Sequence, residues 1–140
     1  MPINYKLYAS NWKTELRPAV LARAAHKCEC CEVENYAVVR WLDGAYQLYE
    51  ELRGNEWVEM VPGTYAEARE LWRDLMSGSA FDDWKVIVLT VAHLDHDIQH
   101  NDLSNLKALC QRCHLKHDRA DNARRRRYGK NHVHEQICIF

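Results

Sequence analysis

Two Cys-x2-Cys pairs, Cys28 with Cys31 and Cys110 with Cys113, constrain this chain more than any other feature. Thiolates three positions apart can face one ion when the chain turns tightly between them. Two such turns complete a closed tetrahedral zinc site. The pairs lie much further apart than the ~15–20 residues between the knuckles of a zinc ribbon. Only a tertiary fold can bring them together. A structural zinc held by Cys28, Cys31, Cys110 and Cys113 is therefore expected, with Cys30 and Cys138 left over. The competing reading is four free structural cysteines, and disulfides are disfavoured in a reducing compartment. The first residues lack the charged and apolar pattern of a signal peptide, and no apolar run approaches the ~20 residues of a membrane span. These readings predict a cytoplasmic protein with no membrane partner, whose thiols stay reduced.

A length of 140 residues bounds the chain to one domain, residues 1–140, with one modest core. An apolar content of 47% excludes a disordered chain. The net charge of -1 conceals an asymmetry. Residues 1–84 carry 9 Lys/Arg against 14 Asp/Glu, and residues 85–140 carry 10 against 6. Seven of the eight histidines fall in that basic second part, so a face that binds a polyanion is expected there.

The second concentration of chemistry runs from His93 to His117. It holds five histidines, three aspartates and two cysteines, a density that a soluble core does not need. Lys85 to Ala92 reads as a strand, β-branched and nearly continuously apolar, which delivers His93-Leu94-Asp95-His96 at its end. A polar loop from Asp97 to Asn105 follows. Leu106 to Leu109 is a strand or turn, and a helix is expected from Gln111 to about Arg127, closed by Tyr128-Gly129.

The rest reads as scaffold. Trp12, Leu16, Val20 and Leu21 recur at helical spacing, with Pro18 at the first regular turn of a helix that leads into Cys28. Val38 to Leu42 is a strand, and Asp43-Gly44 a turn. Arg53-Gly54-Asn55 joins Tyr46–Leu52 to Glu56–Val61 as a hairpin. Thr64-x-x-Glu67 caps a helix over Tyr65 to Met76, ended by Ser77-Gly78-Ser79. Nothing in residues 43–84 has the residue types of a site, and this segment reads as an insertion.

Strand, loop, short strand and helix, with ligand-type residues at the strand end and helix start, form a compact ββα unit. Asp95-His96 with His93 just ahead, Asn105 in Asp-Leu-Ser-Asn-Leu, and His114 behind Cys110-Gln-Arg-Cys113 resemble the three elements of the HNH, or His-Me finger, endonucleases. The doubled Cys-x2-Cys is similar to the zinc clamp of small phage-encoded members. The resemblance covers residues 11–32 and 85–118. It implies an α+β fold: a ββα-metal core stapled by a four-cysteine zinc site, with an N-terminal helix, an inserted hairpin and helix over 43–84, and a basic C-terminal tail over 119–140.

The resemblance implies a metal-dependent DNA endonuclease or nickase. Phosphodiester hydrolysis needs an activated water and a cation for the charge on phosphate and leaving oxygen. Asp95 and His114 are the expected ligands of one catalytic Mg2+ or Mn2+. His96 is the expected general base, with His93 as the alternative base or an extra ligand. Asn105 is expected to orient the imidazole, and His117 lies one helical step beyond His114. Arg124, Arg125, Arg126 and Arg127 are expected to contact DNA phosphates. His100, His132 and His134 read as solvated. The chain departs from the family pattern where Ala92, not an acid or other ligand, precedes His93. It departs again at Glu32, where a glycine often follows the first knuckle. The competing class is a noncatalytic zinc-stapled module for DNA binding or assembly.

Overall fold

The computed structural model describes residues 4–78 and 83–129. His132, His134, Cys138 and Ser79 lie outside the described residues, as does the end of the basic tail expected over 119–140. The regular elements are α1 (Arg17–Arg23), β1 (Val38–Leu42), β2 (Ala45–Leu48), β3 (Glu50–Arg53), β4 (Glu56–Glu59), α2 (Tyr65–Gly78), β5 (Lys85–Val86), β6 (Thr90–His93), β7 (Leu106–Leu109) and α3 (Gln111–Tyr128). This is a mixed α and β arrangement with small sheets. No helix among the described residues is long and apolar enough to cross a membrane.

Local chemistry explains most of the elements. Pro18 sits in the first turn of α1, where its missing N–H costs nothing. Ahead of it, Trp12–Leu16 forms one wider turn of π-helical type. Asp43 and Gly44 both take positive φ, 51° and 81°, and close a two-residue turn between β1 and β2. Thr64 Oγ1 accepts from the Glu67 N–H at the start of α2, and the Glu67 carboxylate reaches back to the Gly63 N–H.

Two expected strands are divided, for the same reason. Tyr46–Leu52 splits at Tyr49: β2 pairs with β1, while β3 pairs with β4. Lys85–Ala92 splits into β5, which pairs with β1, and β6, which pairs with β7. Between β5 and β6 the chain changes sheets. Its amides bond sideways meanwhile: Ile87 N–H to the Ala37 carbonyl at 2.8 Å and Leu89 N–H to Asn35 Oδ1 at 3.0 Å. Apolar periodicity reports burial along 85–92, but it cannot report a change of hydrogen-bonding partner.

Three apolar clusters hold these pieces. The first joins both cysteine turns to the strands: Cys28, Cys110, Val39, Ile87, Leu89 and Ala92 are all buried in it. The second lies on the other face of the β6–β7 hairpin, where Trp12 and Val20 pack on Val91, Leu106 and Ala108. The third, Val38, Ala68 and Trp84, seats α2 against β1. Trp12, 4% exposed, is a core residue, as its spacing implies.

An ion pair absent from the sequence reading ties the first cysteine turn to β7. Arg23 forks onto the Glu29 carboxylate at 3.2 and 2.9 Å and also donates to the carbonyls of Leu103 and Leu106. Glu29 accepts from the Ala108 N–H at 2.7 Å, and its own N–H donates to the Ala108 carbonyl. Burial opposes ionisation of Glu29, but Arg23 and the Ala108 N–H outweigh it and lower its pKa. Charge-assisted bonds of this kind contribute about 1.5–3 kcal/mol. With Arg23 half-exposed, Glu29→Ala is expected to cost about 2 kcal/mol. The check is a lower denaturant midpoint at unchanged slope.

Candidate functional site

Among the described residues, two groups of three or more ligand-type side chains lie close enough together to hold a metal ion. The first is the four-cysteine group, Cys28, Cys31, Cys110 and Cys113, whose sulfurs all lie within 4.8 Å of one another. Cys31 Sγ and Cys110 Sγ are 3.7 Å apart. A tetrahedral ion with metal–sulfur bonds of ~2.3 Å needs an edge of roughly 3.8 Å, so the spacing fits zinc. The sulfurs are also prepared for negative charge. Burial opposes ionisation of Cys28, but backbone N–H groups of Cys31, Cys110 and Cys30 bring it down to about 7. Burial and the sulfurs of Cys28 and Cys110 push Cys31 up to about 11, and Cys113 is raised further. Cys31 and Cys113 thus ionise only against burial and the neighbouring sulfurs, an opposition that a shared cation removes.

Both turns are shaped by the backbone. Glu32, directly after Cys31, takes φ of 65°, the left-handed region in which a glycine is less strained. Cys110 is the residue before α3, and its N–H donates to Cys28 Sγ at 3.4 Å. The four-cysteine site therefore fixes where α3 begins relative to the N-terminal turn.

The second group is His96, His117 and Asp118. His117 and Asp118 share one face of α3 with His114 and Asp121, as their spacing of three and four requires. His96 comes from the turn after β6 and takes φ of 61°, a strained conformation for histidine. Its ring stacks on His117 with centroids 4.8 Å apart and an interplanar angle of 24°. Asp118 stands between two imidazoles, 3.3 Å from His96 Nδ1 and 3.2 Å from His114 Nε2. The Thr90 hydroxyl lies 2.6 Å from His114 Nδ1 and fixes that ring. Burial lowers the His114 pKa, against the pull of Asp118, so the ring is neutral near pH 7. Beneath them Asp121, 3% exposed, is braced by Arg125 at 2.8 Å and lies 3.9 Å from His96. His117 Nε2 and Asp121 Oδ1 are buried with no hydrogen-bond partner among the described residues. Of these two residues His117 belongs to the metal group, and a buried ring nitrogen without a hydrogen-bond partner is one that a divalent cation can satisfy.

The remaining residues singled out in the sequence are placed differently. Asp95 belongs to neither metal group. Its carboxylate is taken by His100, by the Asp97 N–H at 2.9 Å and by Asn105 Nδ2 at 2.9 Å. Asp95, expected to share a cation with His114, is thus engaged within its own loop. Among the described residues Asn105 bonds to no imidazole ring. It donates to Asp95 and to the His100 carbonyl and accepts from the Asp95 N–H, so it shapes the loop that carries His96. His93, 8% exposed, points to the Val91 side of the hairpin. There it stacks on Trp12 at 4.9 Å and bonds to Asn101. Of the arginine run, Arg125 is committed to Asp121 and Arg127 lies over Tyr128, because successive helical residues point about 100° apart. Asp118 and Asp121 went unnoticed in the sequence. The signal that finds them is their helical spacing from His114.

His100 is not simply solvated. Its bonds to Asp95 and then Asp102 raise its pKa, whereas Asp95 is held below the usual carboxylate range: burial opposes this, but His100, the Asp97 N–H and Asn105 outweigh it. A raised histidine pKa contributes stability below its ordinary ~6.5 that is lost as pH rises through the folded value. The loop over 95–105 is therefore expected to loosen as pH rises through the raised His100 pKa. The Asp97 amide should then lose hydrogen-exchange protection, and a flat protection factor contradicts this. Comparisons with protein-family models, with curated proteins and with solved structures gave no match to this chain.

Proposed function

We propose that this chain is a metal-dependent DNA endonuclease or nickase, with structural zinc in the four-cysteine site and a hydrolytic centre at His96, His117, Asp118 and His114. The observation that supports it best is the convergence of His96, from the β6–β7 turn, on an α3 face carrying two imidazoles and two carboxylates. The resemblance to HNH endonucleases supports the same activity. A hairpin followed by a helix, with a cysteine turn at the join, is the frame that resemblance implies.

In this reading His96, His117 and Asp118 hold a divalent cation, which when bound supplies Lewis-acid charge for the phosphate and the departing oxygen. Two imidazoles and one carboxylate favour Mn2+ over Mg2+. His114 is oriented at Nδ1 by Thr90, and its Nε2, which faces Asp118, would take the proton from the attacking water once a bound cation draws the Asp118 carboxylate off it. His96 thereby moves from base to ligand, and Asp95 and Asn105 set the shape of its loop.

The test is cleavage of supercoiled plasmid by zinc-loaded protein. Nicked or linear product should appear with Mn2+, more slowly with Mg2+, and not in a divalent-free buffer. Intact plasmid under every divalent cation overturns the reading and leaves the noncatalytic zinc-stapled module.

A further inference from the structure

A second face of α3 lines a cleft of about 930 Å³ against β1, β2 and the start of β5. Its charge is one-sided. Arg40, Lys85, Arg112, Lys116, Arg119 and Arg126 line it, against the single carboxylate Asp83, which lies 3.4 Å from Lys85. Four of these cations project from α3 itself. From Arg112 to Arg126 they extend about 21 Å along the helix at ~1.5 Å per residue. The opposite wall is aromatic. Trp41 is 45% exposed, packs edge-on to Tyr46 at 5.1 Å, and carries the Arg112 guanidinium 3.3 Å above its ring. Exposing a tryptophan costs apolar area, and a row of cations on one face repels itself. Neither feature serves the core.

We propose that this cleft binds single-stranded nucleic acid, with phosphates along the α3 cations and bases against the Trp41–Arg112 stack. A line of positive groups facing a flat aromatic is the combination that grips a single strand without reading its sequence. Guanidinium planes accept unstacked bases as indoles do. A duplex keeps its base faces in its own stack and has none to offer Trp41. The segment 43–84, read from sequence as scaffold, therefore contributes part of a binding wall through Tyr46. The cleft and the histidine cluster occupy different faces of α3, so a strand held in the cleft lies one helix width from the cation group.

Fluorescence anisotropy of labelled oligothymidylate and of a matched duplex, without added divalent cation, tests the proposal. Zinc-loaded protein should bind the single strand at least about ten-fold more tightly, the worth of one base-stacking contact. Trp41→Ala should remove most of that preference, and Trp41→Phe should keep it. Arg119→Glu with Arg126→Glu should weaken binding and flatten its salt dependence. Equal affinity for duplex, or unchanged binding by Trp41→Ala, overturns the proposal. Competition by polyglutamate as effective as by oligothymidylate also overturns it, and makes an acidic protein segment the occupant. Binding is read without cleavage. A protein that cuts plasmid but shows no single-strand preference loses only this proposal, and one that binds without cutting loses only the nuclease reading.

Discussion

Cys110→Ala is expected to yield a chain that holds no zinc and shows no cooperative thermal transition. Cys110 is fully buried, immediately precedes α3, and sits in the same apolar cluster as Cys28. Its loss opens the tetrahedral set and frees both the start of α3 and the N-terminal turn. Magnitudes decide the outcome. Structural zinc contributes roughly 10–16 kcal/mol to zinc-finger peptides, whereas a whole domain is stable by ~5–15 kcal/mol. Losing the ion removes a share comparable to the total. Zinc quantification and a circular dichroism melt read both consequences. A cooperative melt near that of the wild type contradicts a structural role for the site. Stripping the ion with a strong chelator should reproduce the variant's behaviour.

Asp118→Ala is expected to lower single-turnover plasmid cleavage by roughly 10²–10⁴, the range for removing a group that acts in the transition state. Asp118 is the only carboxylate of its metal group, and it touches both His96 and His114. About a quarter exposed on the helix surface, at 26%, it is not a core residue, so zinc content and thermal stability should stay close to wild type. A fast Asp118→Ala enzyme would sink the proposed centre. Plasmid binding by Asp118→Ala, measured without divalent cation, should stay at the wild-type level, so that the loss lies in the chemical step.

Elements with local causes were legible in the sequence. The Asp43-Gly44 turn, the Thr64–Glu67 cap and Pro18 at the start of α1 each follow from one residue's own stereochemistry. The meeting of Cys28, Cys31, Cys110 and Cys113 was legible because a sparse residue type recurs at ligand spacing. What was not legible depends on tertiary neighbours. The division of 85–92 between two sheets follows from side-on partners, Ala37 and Asn35, that belong to a distant segment. The placement of His93 follows from the Trp12 ring, which arrives from the N-terminal turn. Asp95 looked like a ligand beside His96, yet positive φ at His96 sends the two side chains to different partners. Aspartates inside a helix are common, so the helical spacing of Asp118 and Asp121 from His114 is a weak signal, and it gains meaning only where the turn after β6 brings His96 over them. Arg124 to Arg127 read as one basic patch, although a helix cannot aim four successive residues the same way.

The most direct measurement is the manganese dependence of single-turnover cleavage by wild type, His96→Ala and His114→Ala, each at full zinc content. If His96 is a ligand and His114 the base, His96→Ala should need far more Mn2+ but recover much of its rate at saturation. His114→Ala should keep the wild-type Mn2+ requirement, with a saturated rate lower by about 10²–10⁴. The reverse pattern assigns the base to His96. Unchanged rate and unchanged Mn2+ requirement in both variants contradict a hydrolytic centre on this face of α3.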